Sequence, residues 1–191
     1  DPALRAEAEK AVRGAQAPRL RAERLVRHVH AIVEKKPTVS LPSAREVLAT
    51  RVGDCNEHTA LYVAMARALG LPSRIATGLV YLRGAFYYHA WPEVFVAEGE
   101  GRGSWLPVDP TLNQFPAAAT HVRLARGGLD RQAAIAGLVG RARLEVVEVE
   151  LRPGSTPILV GRAASDLRPL DLPLPHRDDG GCWSSPRRRR E

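Results

Sequence analysis

The 191-residue sequence is poor in aromatic side chains, cysteines and long apolar runs. Phe, Trp and Tyr make up 5% of it, so a core has to be built mainly from Leu, Val, Ile and Ala. Its two cysteines, Cys55 and Cys182, are too few to staple a domain of this size through a disulfide framework. No apolar run approaches the roughly 18 residues needed to cross a bilayer as a helix, which excludes a membrane span of that kind. There is no internal repeat. No basic-then-apolar leader opens the chain, which begins at Asp1. A signal peptide is therefore absent or already removed, or the sequence is a piece of a longer polypeptide, and the compartment stays open.

What remains is ordinary for a soluble globular domain: 45% apolar and 26% charged residues. The formal net charge of +7 raises nucleic acid and anionic surfaces as partners. Its distribution argues the other way. Residues 1–36 hold nine basic and five acidic side chains, whereas residues 37–150 hold eleven of each. Residues 151–191 hold eight and five, and the run Arg187, Arg188, Arg189, Arg190 before Glu191 accounts for that excess. The middle of the chain is neutral, and the terminal arginines have neither aromatic interleaving nor a recognition fold behind them. A nucleic-acid partner is disfavoured.

The first third reads as helical. Residues 3–15 are rich in Ala, Glu and Arg, with high helix propensity and no pronounced apolar stripe. After Pro18, Leu25, Val26, Val29, Ile32 and Val33 recur at helical spacing, and Pro37 is expected to end that helix. Ser43 and Glu46 form a capping-box pattern that opens a short helix to about Ala49. Asp54 and Glu57 repeat the pattern and open the clearest helix, with Ala60, Leu61, Ala64, Met65, Ala68 and Leu69 on one stripe and Gly70 and Pro72 as stop signals.

From Ser73 the period changes. Residues 74–82, 86–96 and 104–108 read as three strands joined by short turns, an antiparallel meander. Pro92 inside the second predicts an edge position or a bulge. Beyond Pro116 the pattern weakens, with a helix expected over 130–138 and an amphipathic strand over 144–151. Residues 151–191 carry six Pro and four Gly and too little apolar surface to offset the entropy of ordering, so they read as a disordered tail. The chain thus divides into one domain over 1–150, with leading helices over 1–50 and a core over 51–125, and a tail over 151–191.

Cys55 falls in the first turn of the best helix. There the positive end of the helix dipole and unpaired amides favour a thiolate, and the same amides can hold an oxyanion. The plain alternative is a small buried side chain at a helix start. His89 follows 34 positions later among Tyr87, Tyr88, Ala90 and Trp91, where a neutral imidazole can take a thiol proton and return it to a leaving amine. Asp109 comes 20 positions after that, at the end of the next strand, where its carboxylate can orient the imidazole. A core histidine and a turn-forming Asp before Pro110 are the plain alternatives. Cys55 and His58 have the spacing of half a zinc site, with His28 and His30 as further ligand types. No second Cys pair completes such a site, and residues two apart on a helix diverge, so no metal is expected. Trp91 and Trp105 either wall a substrate groove or pack in the core.

Three blocks together are more telling. Gly53-Asp54-Cys55-Asn56-Glu57-His58 runs into a helix ending Ala68-Leu69-Gly70-Leu71-Pro72-Ser73-Arg74. Tyr88-His89-Ala90-Trp91-Pro92-Glu93-Val94 and Trp105-Leu106-Pro107-Val108-Asp109-Pro110-Thr111 follow. In order, spacing and flanking residues this resembles the transglutaminase-like superfamily of papain-related cysteine enzymes, over roughly Ser43 to Leu124. The resemblance implies an α+β fold, with N-terminal helices and the Cys-bearing helix packed on an antiparallel sheet that carries His and Asp. It implies Cys55 as nucleophile, His89 as general base and acid, and Asp109 as the orienting member, with no cofactor. The Cys55 backbone amide is the only oxyanion donor that the matching blocks suggest. Such a triad acts on protein or peptide amide bonds, as a protease or amidase when water resolves the acyl-enzyme and as a transglutaminase when an amine does. The alternative is a non-catalytic domain of the same fold that binds peptides or scaffolds an assembly. The oligomeric state is not readable from the sequence.

Overall fold

The structure, a computed structural model, describes residues 1–38, 43–99 and 102–127, together with Ile135 and Leu144. The helix expected over 130–138, the strand over 144–151 and the tail over 151–191, with Cys182, therefore lie outside the described residues, apart from Ile135 and Leu144.

Among the described residues, four named helices and two sheets are formed. Helix α1 (Pro2–Ala11) starts at an Asp1 cap whose carboxylate accepts from the Ala3 and Leu4 amides. It does bury a stripe, because Leu4 and Ala8, with Val12 and Ala15 just after the helix, are small enough to pack closely. Helix α2 (Pro18–Ile32) buries Ala22, Leu25, Val26 and Val29. A fully buried Val or Leu contributes about 1.5–3 kcal/mol, so this face anchors the helix. It stops before Pro37 because strand β1 (Glu34–Lys35) pairs in parallel with β2 (Val52–Gly53). Between them, α3 (Ala44–Thr50) has the expected Ser43–Glu46 capping box and ends where Arg51 adopts a left-handed conformation, with φ of 54°.

Helix α4 (Cys55–Ala68) begins at the Asp54–Glu57 capping box. It is buried well beyond the expected stripe: His58, Thr59, Tyr62, Val63 and Ala66 are inside as well as Leu61 and Met65. Both flanks need covering because α1, α2 and α3 all pack around it. Leu61, Met65 and Ala66 share one apolar cluster with Val94, Val96 and Val108, which seats α4 on the larger sheet.

That sheet contains β3 (Ser73–Leu82), β4 (Ala85–Gly99), β5 (Arg102–Pro107) and β6 (His121–Arg126), in the order β5-β4-β3-β6 and antiparallel throughout. The meander β3-β4-β5 matches the sequence reading, and β6 adds a fourth strand beside β3. Pro92 is not at a bulge, because the register of β4 with β3 is unbroken from Ser73↔Val94 to Leu82↔Ala85; although β4 is an inner strand, Pro92 lies just past the β5 ladder, a local edge on that side. The proline is tolerated where the β5 ladder runs out at Glu93↔Pro107, and its carbonyl still accepts from the Val108 amide.

Candidate active site

Cys55 is placed by the cap before it. The Asp54 side chain accepts from the Asn56 amide at 3.0 Å, and Glu57 Oε2 accepts from the Asp54 amide at 2.9 Å. Burial pushes Glu57 up, but its hydrogen bonds with Asp54 outweigh that and hold it below its ordinary value. One turn after Cys55, the Thr59 hydroxyl donates to the Ala90 carbonyl at 3.0 Å, fixing the start of α4 against β4 next to His89. Tyr88, on the other side of His89, is pushed up to about 12 by burial and by the charge of Asp54. The N-terminus of α4 and the His89 stretch of β4 are therefore neighbours. Cys55 is fully buried. It is disulfide-bonded in this structure, so the thiol chemistry considered below belongs to its reduced form.

His89 and Asp109 meet. His89 Nε2 donates to Asp109 Oδ2 at 2.7 Å, with exposures of 1% and 0%. That leaves Nδ1 as the lone-pair nitrogen of a neutral His89 ring. Asp109 sits at the end of the chain segment that leaves β5, in a turn where its Oδ1 accepts from the Leu112 amide at 2.9 Å and its backbone pairs with Gln114. Helix α2 holds this turn from outside. His30 Nδ1 donates to the Pro110 carbonyl at 3.0 Å, and the Arg27 guanidinium donates to the Asn113 carbonyl and, at 2.8 Å, to its side chain.

A third group, which the sequence reading did not single out, completes the cluster. His121 Nε2 also reaches Asp109 Oδ2, at 3.0 Å, with its side chain 3% exposed. Burial would raise the Asp109 carboxyl, but the hydrogen bonds from His121 and His89 together hold it well below the usual carboxylate range. Only a histidine following a weakly patterned stretch was visible in the sequence, and nothing local tied it to Asp109.

The two tryptophans fare differently. Trp91 is 1% exposed, stacked on His89 with ring centroids 6.0 Å apart, and edge-on to His121 at 5.0 Å. At that burial it offers no open face to a groove. Trp105 is 39% exposed, with the Arg74 guanidinium 3.7 Å above its ring and Phe95 at 5.6 Å. It pairs across from Phe95, six residues along β4 from His89, or roughly 20 Å at strand spacing.

His58 is fully buried, with Nδ1 donating to the Asp54 carbonyl at 2.6 Å and Nε2 unpartnered, and burial pulls its pKa down. His28 turns away to Glu7 at 2.7 Å. The zinc set weighed in the sequence thus disperses over different partners. Among the described residues, His89, Asp109 and His121 bring ligand-type atoms within 4.8 Å of one another, but the two nitrogen–oxygen distances are those of hydrogen bonds, and we read the three as a hydrogen-bonded chain. A depression of about 360 Å³ lined by Arg5, Arg13, Arg21 and Leu69 lies at the opposite end of α4 from Cys55.

A buried histidine–carboxylate pair thus lies beside the first turn of a cysteine-bearing helix seated on an antiparallel sheet. Residues 5–110 match the transglutaminase-like superfamily, and the chain belongs to that superfamily. Its fold is similar to that of a candidate cysteine protease from Cytophaga hutchinsonii, with 25% identity, a TM-score of 0.54, and 66% of this chain and 42% of that one covered. Also similar is the periplasmic domain of TgpA from Pseudomonas aeruginosa bound to ethylmercury, with 25% identity, a TM-score of 0.45, and 59% and 44% covered. The chain thus spans less than half the length of these two structures. No curated protein is similar enough to this chain to count as a match. Among the described residues, no helix is long and apolar enough to cross a membrane.

Proposed function

We propose that the reduced protein is a cysteine-nucleophile enzyme acting on protein or peptide amide bonds, with Cys55, His89 and Asp109 as its triad. The supporting observation is the buried His89 Nε2–Asp109 Oδ2 hydrogen bond, which sets the His89 tautomer while the Thr59–Ala90 bond holds the start of α4 beside it. Cys55 Sγ attacks the carbonyl carbon, and its proton passes to His89 Nδ1. The same proton goes to the departing nitrogen as the C–N bond breaks and a thioester forms. Water or a second amine then attacks the thioester, giving hydrolysis or transamidation. The Cys55 amide, in the first turn but outside the capping box, is the proposed oxyanion donor. Trp105 is too far from His89 to touch a reacting amide and would contact only an extended peptide.

A non-catalytic, peptide-binding domain is the second reading, favoured by the complete burial of Cys55. The two separate on thiol reactivity. Under reducing conditions, with Cys182→Ala to isolate the signal, Cys55 is expected to alkylate with iodoacetamide with an apparent pKa well below the ordinary thiol value of about 8.5. His89→Ala should abolish that shift, and Cys55→Ala should abolish labelling. An ordinary titration that is indifferent to His89 sinks the enzyme reading.

A further inference from the structure

Glu93 draws in three guanidinium groups, more than its burial requires. It lies on β4 four residues after His89. Its carboxylate, 2% exposed, pairs with Arg74 at 2.7 Å, with Arg126 at 3.4 Å and with Arg123. One guanidinium neutralises one buried carboxylate, so two positive charges are in excess. That excess faces solvent, since the Arg123 and Arg126 side chains are 40% and 49% exposed. A carboxylate offers roughly four lone-pair sites against about fifteen N–H donors on three guanidinium groups, so most donors are left for another acceptor. Among the described residues, no second carboxylate is paired with any of the three.

Trp105 continues this patch. It pairs with Phe95, two residues beyond Glu93, and residues two apart on a strand share a face at a spacing of roughly 7 Å. Arg74, which bonds Glu93, also lies over the half-open Trp105 ring, so one side chain joins the cationic spot to the aromatic one. Strand β5 is an edge of the sheet among the described residues, and residues 102–105 are exposed.

We propose that this face of the sheet holds an extended acidic peptide, with carboxylate side chains against Arg123 and Arg126 and an apolar side chain on Trp105. Side chains two apart on an extended peptide fall on one side at the same spacing of roughly 7 Å. The segment it accepts therefore carries Asp or Glu with an apolar residue two positions away. A nucleic acid suits the surface less well, because residues 37–150 are otherwise balanced at eleven basic and eleven acidic side chains. The proposal deepens the enzyme reading by naming its substrate class. It rests on that reading for one point: Glu93 is roughly 13 Å along β4 from His89, so the acidic residues fall about four positions from the amide that reacts.

The test measures binding in the full, reduced chain, with and without Cys55→Ala. Arg187→Gln, Arg188→Gln, Arg189→Gln and Arg190→Gln remove the competing charge of the last residues from both. The probe is a fluorescein-labelled Gly/Ser peptide containing Glu-Ser-Glu-Ser-Leu, followed by fluorescence anisotropy. Saturable binding is expected, about tenfold or more tighter than for the same peptide with Gln in place of Glu. Moving Leu by one position, or Trp105→Ala, should weaken it. Arg123→Gln with Arg126→Gln should weaken it about tenfold, and Arg123→Lys with Arg126→Lys should restore most of the loss. The peptide series decides the matter even if the Gln pair fails to fold. Equal binding of the Gln peptide overturns the proposal, as does binding indifferent to the two arginines, or equally tight binding of inorganic phosphate or a single-stranded oligonucleotide. Acidic-peptide binding that is the same with and without Cys55→Ala, beside an ordinary Cys55 thiol titration, sinks the enzyme reading and leaves this surface standing.

Discussion

Asp109 keeps its negative charge at a fully buried position because three donors reach it: the Leu112 amide on one oxygen and two imidazoles on the other. Hydrogen bonding to the charged form outweighs desolvation, and that balance governs what substitution should do. Asp109→Asn preserves volume but presents an amide in place of the carboxylate. Its NH₂ cannot accept from His89 or His121, and its oxygen can serve only part of the set. The expected result is a loss of about 10³-fold or more in the alkylation rate of Cys55 or in any amide-cleaving activity, with the fold retained by circular dichroism. Activity within tenfold of the unaltered protein would remove Asp109 from the proposed machinery. Sequence spacing pointed to Asp109 and His89 because each ends or lines a strand with a distinctive flank, and the family resemblance supplied their roles. His121 was illegible because its importance lies in a contact across the sheet.

At the scale of elements, the convergence depends on how closely β6 lies against β3. Gly78 on β3 pairs with His89 on one side and with Arg123 on the other, at a register shift. A Cβ at Gly78 would fall 2.0 Å from the Val122 carbonyl oxygen and 3.1 Å from the Arg123 Cα, both in the β6 backbone. Backbone cannot give way as the far end of a flexible side chain can. Gly78→Ala is therefore expected to push β6 away from β3, destabilising the protein by about 1–3 kcal/mol, as overpacking does. It should also weaken the His121–Asp109 contact, shifting the His121 NMR signals towards those of an ordinary exposed ring. Unchanged stability and unchanged His121 signals would show that the strand spacing is not what Gly78 secures. Helix starts, in contrast, were readable in advance. Ser43, Asp54 and their Glu partners three residues on satisfy local amides, and a local interaction leaves a local pattern.

For the molecule as a whole, buried ionisable groups set the response to acid in two stages. His58 titrates below its ordinary 6.5 in the folded state because burial disfavours its charge. Above pH 6.5 it is neutral both folded and unfolded and contributes nothing. As the pH falls below 6.5 the unfolded chain takes up a proton that the folded one resists, and stability declines. Asp109, Glu57 and Glu93 are depressed from 3.8, 4.5 and 4.5, respectively. Burial raises Glu93, but Arg74 and Arg123 pull it down further. The stability from these carboxylates is complete above their ordinary values and is lost as the pH falls through them. The melting temperature should therefore begin to fall near pH 6.5 and drop again below about pH 4. His58→Gln should flatten the first decline while leaving the second. A first decline of the same slope in that variant would show that His58 is not its source.

Periodicity, caps and turn residues were enough to establish four helices, the change to strands at Ser73, the meander and the position of Cys55 at a helix start, because each rests on contacts within a few residues. The end of the β5 ladder beside Pro92, the burial of Trp91 against two imidazoles and the approach of His121 to Asp109 were decided only in three dimensions. They depend on which strand lies at which edge and on how the connection from β5 recrosses the sheet. Side-chain periodicity reports that a strand has an inner face, but not what that face will meet.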